Sequence, residues 1–290
     1  MGVNSYLPKT LKEALEIRKD HDTIILAGGS DLMVGAFRAT GVTPQFDKDV
    51  VIIRNLPELN GIKKNEKGEL EIGALTTSRE IASNPDVPWI LRQAAGKMGA
   101  VGLRNSATIG GNIANASPKG DTPGPEYLLD ARVVVESLDR GEREIPVNEF
   151  VLKLKTVAIE KDEIITKIVL PYGDDDFDNF FYHKIGRRYA NAISKLTLCS
   201  AIKFDGDVIT DFRVATTACG VKTNRSRDVE KILIGKKRYE IPSLIDEVNA
   251  QYEALLTPRA MPEYRKYSTK CMISDFLMKV SNNTAEKFNE

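Results

Sequence analysis

The chain has 290 residues, of which 42% are hydrophobic and 28% are charged, a composition typical of soluble globular proteins. Lys and Arg together number 41, as do Asp and Glu, and this zero net charge argues against a nucleic-acid-binding protein. No apolar run is long enough to span a membrane and no signal peptide is evident, so we expect a cytoplasmic protein. Cys199, Cys219 and Cys271 are scattered, so no metal or iron–sulfur site is expected within the chain.

The first half of the sequence predicts short strands and helices in alternation. Thr10 and Glu13 have the spacing of a capping box, which indicates the start of a helix. Apolar runs between turn residues predict strands at 24–27, 50–53, 70–73, 132–137 and 164–170. Further helices are predicted from residue 77 to Pro85 and over 89–98.

Two glycine-rich stretches stand out among these elements. The first is Ile25, Leu26, Ala27, Gly28, Gly29, Ser30, Asp31 and Leu32, and we call residues 25–32 the first glycine loop. The second is Thr108, Ile109, Gly110, Gly111 and Asn112, and we call residues 108–112 the second glycine loop. A Gly–Gly pair lets the backbone approach a ligand closely, and successive N–H groups can then bind an anion without a lysine.

Neither glycine loop has the spacing of a known nucleotide-binding signature. Both lack the P-loop pattern and the G-x-G-x-x-G pattern of the Rossmann fold. From the residues alone, two interpretations therefore stay open. The loops hold the diphosphate of one large nucleotide cofactor, or they are tight turns between strands. Asp31 is unfavourable beside a phosphate, so we expect it to cap the backbone of a helix through Leu32 or to contact a ribose.

The second half begins after a polar break. Gly173 and Asp174 to Asp176 form this break, which we predict to be a solvated linker rather than a cation site. Strands are predicted at 180–184, 194–204 and 208–218, and helices at 226–234, 242–256 and 262–280. Strands followed by helices indicate an α+β domain. The polar tail from Asn282 is expected to be frayed.

The motifs taken together resemble a known family. The two glycine loops, Arg104-Asn105, and the run Ala114 to Pro118 followed by Asp121-Thr122-Pro123 resemble the FAD-binding (medium) subunits of the molybdenum hydroxylases. The family includes subunits of xanthine, carbon monoxide and nicotinate dehydrogenases. The resemblance runs from about Tyr6 to about Leu277, nearly the whole chain.

The resemblance implies an α+β architecture in two domains. Residues 1–176 would form an FAD-binding domain of the vanillyl-alcohol oxidase (PCMH) type, in two α+β lobes. Residues 177–290 would form a smaller α+β C-terminal domain of the CO dehydrogenase flavoprotein type.

The resemblance also implies which residues bind FAD. The two glycine loops would take opposite sides of the diphosphate, and Asp121 would bond the adenosine part. Ile165 would lie beside the cofactor, and Lys184 would lie near the isoalloxazine. Each of the last three has a plainer interpretation: Asp121 as a turn cap, Ile165 as core and Lys184 as a surface charge.

The implied function is electron transfer within an oxidoreductase. The partners would be a molybdopterin-binding large subunit and a [2Fe-2S] small subunit, with NAD+ or another electron acceptor. No catalytic acid or base is expected, because FAD does the chemistry and the two histidines, His21 and His183, offer little for a triad.

Two alternatives remain from the sequence. One is a self-contained FAD-dependent oxidoreductase of the same FAD-binding fold, and the other is a scaffold subunit that has lost FAD. The substrate of the molybdenum subunit, the electron acceptor and the stoichiometry of the assembly do not follow from this chain.

Overall fold

The computed structural model describes residues 3–37 and 43–289, and its first lobe is a small parallel sheet. Its strands are β1 (Ser5–Tyr6), β2 (Thr23–Leu26) and β3 (Asp49–Ile52), in the order β1-β3-β2. Helix α1 (Leu11–Asp20) connects the first two strands, and α2 (Leu32–Ala36) follows the second. The Thr10 hydroxyl accepts from Glu13 N, but the Glu13 carboxylate accepts from Lys9 N instead of Thr10 N, so only half of the predicted capping box forms.

The second lobe is built on an antiparallel sheet with the order β4-β5-β10-β6-β7. These strands are β4 (Ile62–Lys64), β5 (Leu70–Gly73), β6 (Arg132–Ser137), β7 (Gly141–Pro146) and β10 (Ile164–Leu170), and a separate hairpin is formed by β8 (Val151–Lys153) and β9 (Thr156–Val157). The helices of this lobe are α3 (Ser78–Ser83), α4 (Trp89–Gly96), α5 (Val101–Arg104), α6 (Ile109–Ala114), α7 (Pro123–Leu128) and α8 (Val147–Phe150). The strands predicted from apolar runs in both lobes are confirmed.

The C-terminal part is a third sheet packed on helices, as predicted. Its order is β14-β13-β12-β11-β15. The strands are β11 (Asn179–Ile185), β12 (Leu196–Asp205), β13 (Val208–Thr217), β14 (Asn224–Arg225) and β15 (Phe288–Asn289). The helices are α9 (Arg227–Lys231), α10 (Ile241–Glu253) and α11 (Pro262–Ser281). Apolar side chains from this sheet and these helices form one buried cluster, which includes Phe212, Tyr252 and Phe276.

The prediction of a frayed tail is wrong. Strand β15 pairs in parallel with β11, with Phe288 opposite Phe180. The Phe288 ring stacks on Trp89 at 5.4 Å between centroids and on Phe180 at 6.2 Å. A single aromatic side chain therefore anchors a segment whose composition is otherwise polar.

The polar break is not a solvated linker throughout, which corrects a second prediction. The Asp174 carboxylate accepts from Trp89 N at 2.7 Å, and its other oxygen lies 3.8 Å from the Arg92 guanidinium. Partial burial there raises the pKa of Asp174. Just beyond it, Phe177 and Phe180 pack into the same apolar cluster as the second lobe. The third sheet is thus joined to the second lobe by a shared core.

Candidate cofactor-binding site

A cavity of about 600 Å³ lies between the first and second lobes. Its volume is in the range of sites that bind organic ligands, and apolar and small neutral side chains make up most of its lining. Thirteen of the sixteen predicted site residues line it: Ile25, Leu26, Ala27, Gly28, Gly29, Ser30, Asp31, Leu32, Thr108, Gly110, Gly111, Asn112 and Ile165. The fold therefore brings both glycine loops to one cavity, although they are far apart in sequence.

The first glycine loop follows β2 and leads into α2. A Cβ on Gly28 would lie 1.8 Å from the backbone oxygen of Ser106, so only glycine fits where this loop packs against the segment before the second one. The N–H groups of residues 28–31 donate to no other group in the described part of the chain. Successive unpaired N–H groups form a concavity suited to an anion such as a diphosphate. This arrangement fits the phosphate part of FAD.

The second glycine loop differs from the first in this respect. The N–H groups of Ile109 and Gly110 donate to the backbone oxygens of Thr76 and Ala74 at 3.1 and 3.0 Å. Those of Gly111 and Asn112 donate to the hydroxyl and backbone oxygens of Thr108, which caps α6. The expectation of free backbone donors therefore holds for the first loop and fails for the second.

Close packing explains the first of the two glycines of the second loop. A Cβ on Gly110 would lie 2.7 Å from that of Ala74, so this glycine lets α6 dock at the end of β5. Gly111 is exposed, and a Cβ there would meet only the Thr108 hydroxyl, at 2.8 Å. The second loop thus contributes shape and side chains to the cavity rather than N–H donors. Ile109 is fully buried and lies outside the lining.

Three charged side chains line the cavity, namely Arg18, Asp31 and Lys155. The Arg18 guanidinium donates to the backbone oxygen and hydroxyl of Thr23, and burial lowers its pKa. The Asp31 carboxylate makes no cap on α2, so the first of its two expected roles is wrong and the ribose contact stays a prediction. In the structure this carboxylate accepts from Lys155 Nζ at 2.9 Å. Sequence reasoning missed both cations, because they come from α1 and from the turn of the β8–β9 hairpin.

Asp121 and Lys184 lie outside the cavity lining and contact each other. The Lys184 Nζ is 2.6 Å from Asp121 Oδ1 and also donates to the backbone oxygen of Lys97 at 2.9 Å. Both side chains are largely buried, so the interpretation of Lys184 as a surface charge is wrong. Burial raises the pKa of Asp121, while the neighbouring ammonium group lowers it.

This contact gives the two residues a structural role beside the ones that the resemblance implies. The resemblance places Asp121 at the adenosine part of FAD and Lys184 near the isoalloxazine. Both assignments stay predictions, because the contact between the two side chains does not locate the cofactor.

A second buried carboxyl group lies behind the second glycine loop. Thr122 donates through both its N–H and its hydroxyl to Asn112 Oδ1, at 3.3 and 2.9 Å. This links the loop to α7, where the fully buried Glu126 has no hydrogen-bond partner for either carboxylate oxygen in the described chain. Burial raises the pKa of Glu126 to about 8. No feature of the sequence indicated this residue.

The cavity, the free N–H groups of the first loop and the neutral second loop define a protein that binds a large anionic cofactor. Within residues 3–37 and 43–289, no group of three or more His, Cys, Asp or Glu side chains could hold a metal ion. No helix in the same ranges is both long and apolar enough to cross a membrane.

Comparisons with known proteins give the family. Residues 1–173 match the family described as "FAD binding domain in molybdopterin dehydrogenase", and residues 180–280 match the "CO dehydrogenase flavoprotein C-terminal domain". The nicotinate dehydrogenase FAD-subunit of Eubacterium barkeri is 33% identical over 243 residues, which cover 79% of each chain. The glyceraldehyde dehydrogenase medium chain of Sulfolobus acidocaldarius is 31% identical over 270 residues, covering 91% of this chain and 93% of its own.

The fold is also found in solved structures. A chain of the carbon monoxide dehydrogenase from Hydrogenophaga pseudoflava superimposes with a TM-score of 0.86 at 23% identity, covering 98% of this chain and 99% of its own. The chain therefore belongs to the family of FAD-binding medium subunits of molybdenum hydroxylases. The predicted family, the PCMH-type fold and FAD as the cofactor are confirmed, and the chain is a subunit of an oxidoreductase.

Proposed function

We propose that this chain, carrying FAD, passes electrons from the [2Fe-2S] clusters of a small partner subunit to NAD+ or another acceptor. A large molybdopterin-binding partner would oxidise the substrate. The observation that carries the proposal is the convergence of both glycine loops on one cavity that fits FAD. Relatives described as a "FAD-subunit" and a "medium chain" support an assembly of several different chains.

In this proposal the protein binds and orients the cofactor rather than supplying acids or bases. The N–H groups of residues 28–31 hold the diphosphate, and the second glycine loop closes the other side. Ile165, at the edge of the buried core, packs against the cofactor. FAD suits such a position because it accepts electrons singly and donates them in pairs. We also propose that the FAD-binding domain and the C-terminal domain meet near residue 176.

Anaerobic reduction of the bound flavin tests the electron route. The purified chain is mixed with candidate substrates of molybdenum hydroxylases, first alone and then within the complete assembly, and flavin bleaching is followed by visible absorption. We expect no bleaching with the chain alone and rapid bleaching in the assembly. The dithionite-reduced chain is then mixed with NAD+, and recovery of the flavin absorption identifies that acceptor.

The same experiment distinguishes the proposed function from the alternative, an oxidoreductase that needs no partner subunits. A chain that is reduced by a substrate without partners is a self-contained flavin oxidoreductase, and the proposal fails. An assembly whose iron–sulfur clusters are reduced while the flavin stays oxidised contradicts the proposed direction of transfer.

A further inference from the structure

The side chain of Lys155 bridges two segments of the cavity lining. Its Nζ donates to the Asp31 carboxylate, which follows the Gly–Gly pair of the first loop, and to the Asn115 side chain at the end of α6. Its own backbone N–H donates to the oxygen of Ala116 at 3.2 Å, which fixes the β8–β9 turn against the segment after α6. One ammonium group therefore joins the first glycine loop to the end of α6, the helix that begins in the second glycine loop.

The contact with Asp31 has little value for folding. The side chains of Lys155 and Asp31 are 55% and 64% exposed, and ion pairs this exposed stabilise a fold only slightly. Lys155 also has φ +57°, a left-handed conformation that glycine or asparagine adopts more readily. A lysine at this turn position is thus explained better by what its side chain binds than by the turn itself.

The charges around the first loop point to that ligand. A diphosphate on the N–H groups of residues 28–31 would lie next to the Asp31 carboxylate, and like charges this close repel. Arg18 is the other cation on the described lining, and Thr23 holds it at the start of β2. The start of β2 lies about 10 Å along the strand from its end, where the Gly–Gly pair follows. Lys155 is the cation placed to offset both negative groups.

We propose that Lys155 is a further cofactor-binding residue, whose ammonium group contacts the diphosphate of FAD while it neutralises Asp31. This inference rests on the assignment of the cavity to FAD. A charge-assisted hydrogen bond of this kind corresponds to about a tenfold to hundredfold difference in affinity.

The test uses the full chain freed of flavin, in wild-type form and as Lys155→Gln. FAD affinity is measured from flavin fluorescence, and ADP and adenosine are measured as competitors. We expect Lys155→Gln to weaken FAD and ADP by tenfold or more and to leave adenosine unchanged, because adenosine lacks the diphosphate. Lys153→Gln is the matched control, since Lys153 is an exposed lysine on the same hairpin. It should change none of the three affinities.

A second variant tests whether Lys155 binds phosphate or only stabilises the loop through its contact with Asp31. Asp31→Asn removes a charge that repels the diphosphate, so ADP should bind more tightly if Lys155 contacts phosphate. If Asp31→Asn instead weakens ADP as Lys155→Gln does, or if Lys155→Gln weakens adenosine as much as ADP, the inference is overturned.

The site assignment is tested alongside with Gly111→Val. Loss of FAD affinity in this variant, with no change in Lys155→Gln, overturns the role of Lys155 and leaves the cavity as the FAD site. No change in either variant overturns both.

Discussion

The Lys184 ammonium group lies 2.6 Å from the Asp121 carboxylate and joins β11 of the third sheet to the segment before α7. Lys184 Nζ also donates to Lys97 O, so the same group ties down the end of α4. Because both side chains are largely buried, removal of either one leaves a charge in a poorly solvated place. This pair is therefore a structural link between the FAD-binding lobes and the C-terminal sheet.

We expect Lys184→Met to lower the free energy of unfolding by about 3 kcal/mol near neutral pH, because Asp121 loses its counter-charge. Without Lys184 the pKa of Asp121 rises further above its ordinary value of 3.8. As pH rises, the unfolded chain then releases this proton before the folded chain does. The loss in the free energy of unfolding therefore grows with pH. Urea unfolding at pH 5 and pH 8 measures it. The double variant Lys184→Met with Asp121→Asn should recover much of the stability, and an equal loss at both pH values contradicts the argument.

We expect Gly111→Val to abolish FAD binding. Gly111 lines the cavity, and a side chain there would meet the Thr108 hydroxyl, which caps α6. The ratio of flavin to protein absorbance after purification measures the effect. Gly102→Val is the control, because Gly102 lies in α5 and its added Cβ would meet no atom of the described chain within 4 Å beyond its own neighbours and helix backbone. A Gly111→Val protein that purifies with full flavin content shows that the second loop does not contact the cofactor.

Local patterns in the sequence predicted the strands well because each is a short apolar run between turn residues. Strands β2, β5 and β10 form where such runs occur. The meeting of the two glycine loops followed from resemblance to a family, since no local pattern specifies a contact between residues 28 and 106.

The contacts that the sequence could not predict are long-range ones. Lys155 and Asp31 are 124 positions apart, and only the packing of the β8–β9 hairpin brings them together. Lys184 and Asp121 were each assigned a role separately, and their contact became visible only in the fold. Strand β15 was missed because its two residues are too few to show periodicity.

We expect Glu126 to make the fold less stable as pH rises. Its pKa of about 8 in the folded chain exceeds the ordinary value of 4.5, so the unfolded chain releases the proton first. Between these values the free energy of unfolding falls by about 1.4 kcal/mol per pH unit from this group, and below pH 4.5 the loss is absent. Glu126→Gln should flatten this dependence and be the more stable form at pH 8.

Urea midpoints from pH 5 to pH 8 check the prediction for Glu126. The control is Glu149→Gln, because Glu149 is an exposed glutamate on α8 and its replacement should leave the slope unchanged. If the wild-type and Glu126→Gln curves run parallel, Glu126 keeps an ordinary pKa in the folded chain.

We expect Phe288→Ala to detach the C-terminal strand from β11. Phe288 stacks on Trp89, which is the single tryptophan of the chain, so tryptophan fluorescence reports this contact directly. Loss of the partly buried ring should lower the free energy of unfolding by about 2 kcal/mol. Acrylamide quenching of Trp89 should increase, because the ring that covers the indole is gone. Glu286→Ala removes an exposed side chain from the same tail and should change neither measurement. Unchanged quenching in Phe288→Ala means that the tail does not cover Trp89 in solution.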